Sequence, residues 1–290
     1  SNLSQFSELN SLLLTGGDRI IRTAFEKAWA RSVLRVGGVP TLRFWRDLED
    51  RQSQVPVVSV ANGEWTGLAR PTTHILGLEN LSSINAVVTD GARTLIHDWD
   101  QKQTHQLLGL LERHPRSEVA LVASLGRHLQ NQFLYVGNSL PIREWDLASG
   151  LVGSPARVSA NRGANGIDGQ ISSFLGQCRP ELENWALVGD LTAMYDLSSL
   201  WCVQQMDACA KRLVIINNGG GQIFKNMFEK SIFLNQHQVE FQSWAQMWGW
   251  SYLQWTDVPR ELGALSDRQL IELRPDPKQS EDFWRDYQTL

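Results

Sequence analysis

Short apolar runs and longer amphipathic stretches take turns along this chain, and turn residues mark most of the junctions. "SVLRVGG" (32–38) and "VPVVSVAN" (55–62) read as buried strands, with "TLRFWRDLEDR" (41–51) as the helix between them. A third strand is expected within "INAVVTDGA" (84–92). Two helices then close the first half: "DQKQTHQLLGLLERH" (100–114), and residues 117 to 129, entered after Pro115.

The second half repeats the alternation. "FLYVGNS" (133–139), "ARVSANRG" (156–163), "NWALVGD" (184–190), "RLVIINN" (212–218), "SYLQWTD" (251–257) and "RQLIELRP" (268–275) read as strands. Helical stretches separate most of them, including "VEFQSWAQMWGW" (239–250) and "SEDFWRDYQ" (280–288). Crossovers long enough for helices imply parallel sheets in both halves. The predicted fold class is α/β, with two three-layer domains over residues 1–131 and 132–290. Of the twelve tryptophans, Trp244, Trp248 and Trp250 lie on helical faces, where core packing is expected.

Composition narrows the class of partner. A hydrophobic share of 42% with 20% charged residues places the chain among globular proteins. A net charge of -4 and a pI near 5.9 argue against a nucleic-acid-binding surface, which is usually basic. No apolar run approaches the roughly 18 residues of a membrane span, so none is expected, and no secretory leader is expected either. Cys178, Cys202 and Cys209 are odd in number and lack C-x-x-C spacing, so neither a disulfide framework nor a zinc site is indicated. They read as buried small hydrophobes in a reducing cytoplasm. All four methionines lie in the last third of the chain, which opens on Ser1-Asn2. That beginning is read either as a tag scar on an excised fragment or as Ser1 following natural Met removal.

Candidate chemistry concentrates in "VGDLTAMYDLSSLWCVQQMDACAKRLVIINNGGGQIF" (188–224). Asp190 ends one apolar strand, and Asn217-Asn218 end the next. Ordinary turn chemistry accounts for such residues in any fold. The alternative is a metal and a phosphate at the carboxyl ends of neighbouring parallel strands, where ligands collect in α/β sheets. Gly189 permits close backbone approach, residues 191 to 201 read as a helix whose first N–H groups suit a phosphate, and Thr192 adds a hydroxyl donor. Mg²⁺ takes octahedral oxygen ligands and usually shares them with substrate phosphates. One carboxylate, one amide oxygen and one carbonyl from the glycines at 219 to 221 would leave room for phosphate oxygens and water.

Gly-Asp followed by Asn-Asn, here with Asp190 and Asn218 separated by 28 positions (218 − 190), resembles the signature of thiamine-diphosphate (ThDP) enzymes. "GDLTAMYDLSSL" with "NNGGGQIF", supported by "VGNSLPIREWD" (136–146) and "SANRGANGIDGQIS" (159–172), is similar to one family among them. This is the 2-succinyl-5-enolpyruvyl-6-hydroxy-3-cyclohexene-1-carboxylate synthases, ThDP carboligases of menaquinone biosynthesis. The four motifs stand in the family's order across residues 133 to 230, and "LRVGGVPT" (34–41) matches the middle domain more loosely.

The resemblance implies a pyrimidine-binding, a middle and a diphosphate-binding domain in the whole enzyme. This chain would hold the last two, its second half a ThDP-binding fold, and would lack the pyrimidine-binding domain with its activating glutamate. On that ground residues 1–290 alone are expected to be catalytically silent. By the same resemblance Asp190 and Asn218 would ligate Mg²⁺ (Mn²⁺ being an alternative) through side-chain oxygens, and Gly220 through its carbonyl. Asn138, Ile167, Gly189, Leu191, Thr192 and Gly221 would join them around ThDP, with Ile167 as the apolar wedge that bends the cofactor. Ser139, Arg143 and Arg162 would line the active site, the arginines meeting substrate carboxylates as bidentate partners. Ile223 and Phe224 would form an apolar wall.

The family's basic Ser-Lys-Arg run is replaced here by Leu42-Arg43-Phe44, where Arg43 stands in for the lysine and the second cation is absent. The implied activity is decarboxylation of 2-oxoglutarate and addition of the product to isochorismate, by a cytoplasmic homodimer or homotetramer. Two other readings stay open: a ThDP enzyme acting on a different 2-oxo acid, and a non-catalytic nucleotide-binding module. Against the module, "VGGVP" (36–40) lacks the G-x-G-x-x-G of a dinucleotide site.

Overall fold

A computed structural model describes residues 13–40, 42–85, 90–162, 165–225, 227–228 and 230–290. Its contacts divide the chain into two compact units, residues 14–107 and residues 108–290.

The first unit carries α1 (Gly17–Glu26), β1 (Val33–Val36), α2 (Arg43–Asp47), β2 (Val57–Ala61), β3 (Thr73–Leu76) and the first part of α3 (Asp90–Arg113). Its three strands pair in parallel in the order β1-β2-β3. Phe44, Trp45 and Leu48 bury one side of α2 against Val55 and Val57. Phe25 of α1 stacks on Phe44 at 4.8 Å. Asp18 Oδ1 accepts the Phe44 N–H at 2.6 Å, which satisfies a backbone donor at the start of α2. Arg43 is largely solvent-exposed and sits 3.3 Å from Asp47 on the same helix.

The third strand lies earlier than the apolar pattern suggested. It is Thr73–Leu76, whereas Ile84 and Asn85 belong to no strand and α3 begins at Asp90. Residues 86–89 lie outside the described residues. The helix read at 100–114 is the second part of the longer α3.

The second unit continues with α4 (Glu118–Gly126), β4 (Phe133–Val136), α5 (Leu140–Ala148), β5 (Arg157–Ser159), α6 (Gln170–Leu175) and β6 (Asn184–Gly189). After these come α7 (Asp190–Tyr195), β7 (Lys211–Ile216), α8 (Gln242–Met247), β8 (Ser251–Trp255), β9 (Arg268–Leu273) and α9 (Pro277–Thr289). Six strands pair in parallel in the order β5-β4-β6-β7-β9-β8.

Strand side chains alternate between two cores, as the two-residue period of a strand requires. Leu134, Val136, Trp185, Leu187, Val214, Ile216 and Ile271 face α4 and α5, through Leu121, Leu125, Ile142 and Trp145. Phe133, Tyr135, Ala186, Val188, Leu213, Ile215 and Leu270 face α6 and α8, through Ile171, Phe174, Trp244 and Ala245. Both faces are therefore covered, which is why these strands read as continuous apolar runs. Trp244 and Trp250 are buried, and Trp248 packs beside them.

The division between units falls at Leu107/Leu108, ahead of the expected 131/132, because α4 belongs to the core of the second sheet. The helix expected over residues 191–201 is two pieces. α7 ends at Tyr195, and a 3₁₀ segment, Ser199–Gln205, follows it.

Candidate cofactor and metal site

The strand order reverses direction beside β4: the chain steps from β4 outward to β5, then returns to β6 on the other side. A crevice opens at such a switch point, outside the carboxyl ends of the strands. Here it is a cavity of about 350 Å³. The exits of β4, β6 and β7 supply most of its wall.

Asp190 follows Gly189, the last residue of β6, and the register Gly189↔Ile216 places the start of the β7 exit loop beside it. Its carboxylate is buried. Oδ2 accepts backbone N–H bonds from Asn218 (3.1 Å), Gly219 (2.9 Å) and Gly220 (3.0 Å), while Oδ1 accepts that of Leu191 (2.7 Å). The loop is thus wrapped around one carboxylate. Burial pushes the Asp190 carboxyl above its ordinary range; the Leu191, Gly219 and Gly220 N–H groups and nearby His237 pull the other way. His237 Nε2 lies 3.2 Å from Oδ2. The Val239 N–H donates to His237 Nδ1 (3.1 Å), which leaves the ring proton to Nε2.

Gly220 must be glycine. Its φ is +140°, and a Cβ there would stand 2.5 Å from the Leu234 carbonyl oxygen. Among the described residues its own carbonyl accepts one bond, from the Gln222 N–H at 2.9 Å, which leaves a lone pair. Asn218 Nδ2 donates to both oxygens of Glu118 at 3.1 Å, and among the described residues Oδ1 is left with one long contact, 3.3 Å from the Gly220 N–H. Asn217 turns away from the cavity to Val239 O and to Glu272, a buried carboxylate that also takes the Phe241 N–H, the Tyr252 hydroxyl and Arg274.

The exit of β4 forms the facing wall. Asn138 gives Nδ2 to the carbonyls of Asn161 (3.1 Å) and Gly166 (2.8 Å), and its Oδ1 accepts from Arg162 (3.0 Å). Gln170 braces it, accepting the Asn138 N–H (3.2 Å) and the Tyr135 hydroxyl (3.0 Å) and donating to the Gly166 carbonyl (2.8 Å). Ser139 has φ +76°, a strained conformation for a non-glycine residue, of the kind that clusters at functional sites.

Arg143 is exposed on α5 and donates to the Ser139 carbonyl at 3.4 Å. Burial, with the repulsion of Arg143 beside it, lowers the pKa of the Arg162 guanidinium. Arg162 Nε has no hydrogen-bond partner among the described residues. Two guanidinium groups close enough to repel each other, at the edge of a cavity, form a setting for an anion.

Every residue that the resemblance assigned to the site in residues 132–290 lines this cavity. Asn138, Ser139, Arg143, Arg162 and Ile167 stand on the β4 and α6 side. Gly189, Asp190, Leu191 and Thr192 stand at the β6 exit, with Asn218, Gly220, Gly221, Ile223 and Phe224 at the β7 exit. Ile167 lies in the turn before α6 and is half-buried, so it is not a helix-core residue. The sequence reading missed Glu118, Gln170, His237 and Glu272. Glu118 and Gln170 are the first residues of α4 and α6, where a polar side chain is ordinary and gives no local signal of burial.

The oxygen donors of Asp190, Asn218 and Gly220 form a hard set suited to a small divalent cation. Space exists beside them that the fold itself does not fill: a Cβ on Gly189 would meet nothing nearer than Thr192 Oγ1 at 4.0 Å. Thiamine diphosphate with Mg²⁺ fits that chemistry.

Fold and site together define an α/β protein with a polar, glycine-lined crevice at the switch point of a parallel sheet. The chain is 47% identical over its whole length to the 2-succinyl-5-enolpyruvyl-6-hydroxy-3-cyclohexene-1-carboxylate synthase of Bdellovibrio bacteriovorus. It is 36% identical over 95% of its length to the synthase of that name from Akkermansia muciniphila, and 31% identical over 83% to that of a Roseiflexus species. Over the residues it spans, the chain belongs to this synthase family. It spans about half the length of the curated relatives it matches, 56%, 54% and 44% of these three. No protein-family model matches it.

Proposed function

We propose that these residues form the metal- and diphosphate-binding part of a ThDP- and Mg²⁺-dependent carboligase. In this reading 2-oxoglutarate is decarboxylated and its remaining carbon skeleton is added to isochorismate, a step of menaquinone biosynthesis. The observation that carries the reading is the meeting, in one cavity, of Asp190, Asn218 and Gly220 with the Arg143–Arg162 pair. The first group suits a metal diphosphate, and the second suits the carboxylates of a dicarboxylic substrate.

When bound, ThDP supplies the electron sink for decarboxylation and carbon–carbon bond formation. The protein's part is to hold and shield. Asp190, Asn218 and the Gly220 carbonyl would hold Mg²⁺ by oxygen. Ile167, on the facing wall, would press against the cofactor body. Ile223 and Phe224 would exclude water from the reacting carbons, which strengthens every charge interaction there. Arg143 and Arg162 would orient substrate carboxylates, with Arg162 Nε as a donor awaiting an acceptor.

The test is calorimetric titration of ThDP into the natural full-length protein, with and without Mg²⁺, followed by product analysis with a panel of 2-oxo acids and isochorismate. Mg²⁺-dependent binding, with turnover of 2-oxoglutarate only, is expected. Turnover of another 2-oxo acid would replace the substrate, and nucleotide binding in place of ThDP would overturn the reading.

A further inference from the structure

Glu118 and Glu144 form a buried pair of carboxyl groups beside the β7 exit loop, one on α4 and one on α5. Both Glu144 oxygens lack a donor among the described residues, although the side chain is fully buried. Two ionised carboxylates cannot share such a place, so one of them keeps a proton. Burial raises both carboxyls above the ordinary range, Glu144 well above it because Glu118 adds to the rise, whereas hydrogen bonds from Glu144 and Asn218 oppose the rise at Glu118. The proton therefore sits on Glu144 and points at Glu118. This accounts for the otherwise orphaned group.

An amide nitrogen only donates, so its contact with both Glu118 oxygens fixes those oxygens as acceptors. Both oxygens of Glu118 lie 3.1 Å from Asn218 Nδ2. Turning the Asn218 amide over would set its Oδ1 against those oxygens, acceptor against acceptor. The Asn218 main chain is held separately, by its N–H on Asp190 Oδ2 at 3.1 Å. With backbone and amide nitrogen both tied, Oδ1 has a single direction left, toward Gly220 and the cavity.

We infer that Glu118, supported by Glu144, is a positioning residue that sets the Asn218 amide oxygen toward the divalent cation. The inference rests on the proposed ThDP–Mg²⁺ reading. It adds a residue of α4, 100 positions before Asn218 in the chain. Glu118 touches neither cation nor substrate in this assignment; it acts through the orientation of another ligand, as outer partners of metal ligands do.

Mn²⁺ serves as the probe, titrated by electron paramagnetic resonance into the full-length protein with ThDP present, alongside melting temperatures. Glu118→Leu removes both acceptors and is expected to weaken Mn²⁺ binding about 10- to 100-fold, the range typical of lost outer partners. Glu118→Gln keeps one acceptor for Nδ2 and should stay within about threefold of the parent, well short of that loss. Should the leucine variant fail to fold, Glu118→Asp withdraws the carboxylate by one methylene and is expected to weaken Mn²⁺ as well.

Parent-like affinity and spectrum in Glu118→Leu or Glu118→Asp would overturn the inference. So would affinity that falls only in step with melting temperature across all three variants. Asp190→Ala is the control: if the parent binds Mn²⁺ and this variant does not, a silent Glu118 sinks the positioning role alone. A parent that binds no Mn²⁺ with ThDP sinks the functional reading, and this inference with it.

Discussion

Gly220 donates its backbone N–H to Asp190 Oδ2 at 3.0 Å, joining residues 30 positions apart at the exits of adjacent strands. Asn218 and Gly219 share the same oxygen. Asp190 is therefore an anchor for the loop as well as a candidate ligand. Asp190→Ala would leave four backbone donors without this acceptor, and an unsatisfied buried donor costs about 1–3 kcal/mol. A lower melting temperature is expected, together with loss of Mg²⁺-dependent ThDP binding. Asp190→Asn keeps an acceptor and should recover part of the stability without the binding. Melts and titrations of both variants check this, and unchanged ThDP affinity would remove Asp190 from the metal site.

The two glycines beside it should respond unequally. An alanine Cβ at Gly220 would stand 2.5 Å from the Leu234 oxygen and 3.1 Å from that of Asn235, backbone atoms that cannot swing aside. At Gly219 the nearest atom would be the His237 oxygen at 3.5 Å, ordinary contact, although its φ of +80° still favours glycine. Gly219→Ala is expected to cost about 1 kcal/mol from backbone strain, and Gly220→Ala distinctly more. Chemical denaturation of the pair measures the difference. Equal losses would mean that the Leu234 carbonyl does not constrain the loop.

Arg143 separates substrate choice from cofactor binding. If it meets a substrate carboxylate, Arg143→Ala in the full-length enzyme should leave ThDP affinity nearly intact and weaken the dicarboxylic substrate. Loss of a charge-assisted bond is worth about 1.5–3 kcal/mol, or roughly 10- to 150-fold. Steady-state kinetics against 2-oxoglutarate and isochorismate read the change. Constants within about a factor of two of the parent, the scale of a surface substitution, would take Arg143 out of the site.

Glu144 gives stability a pH dependence of definite sign. Its folded-state pKa lies well above the ordinary carboxyl value, first because of burial and then because of Glu118. As pH rises from the ordinary carboxyl range toward that raised value, the unfolded chain has released the proton and the folded chain still holds it. Fewer protons on the unfolded state mean that stability falls as pH rises across this window. Glu144→Gln removes the group and should flatten the slope. Urea melts of parent and variant at a series of pH values from acid to neutral check it, and parallel profiles would refute the assignment of the proton to Glu144.

Much of this protein is written in local pattern. The parallel strands are legible because both faces of β4, β6 and β7 are covered, so burial shows as unbroken apolar runs such as Phe133–Val136 and residues 213–216. Asp190, Asn218 and the glycines after them are legible because a strand end is itself a local event. Other features depend on which elements become neighbours. The order β4-β6-β7 brings the Asn138 wall against the Asp190 loop. Helix α4, whose apolar face belongs to the second sheet, delivers Glu118 to Asn218 across 100 positions. His237 reaches the same loop from the segment after Leu234, and Glu144 on α5 reaches Glu118. Periodicity records whether a residue is buried, and not what it is buried against. The partner of a buried carboxyl is set by long-range packing, so the metal-ligand candidates could be read from the sequence, while the groups that hold them in place could be found only in the tertiary structure.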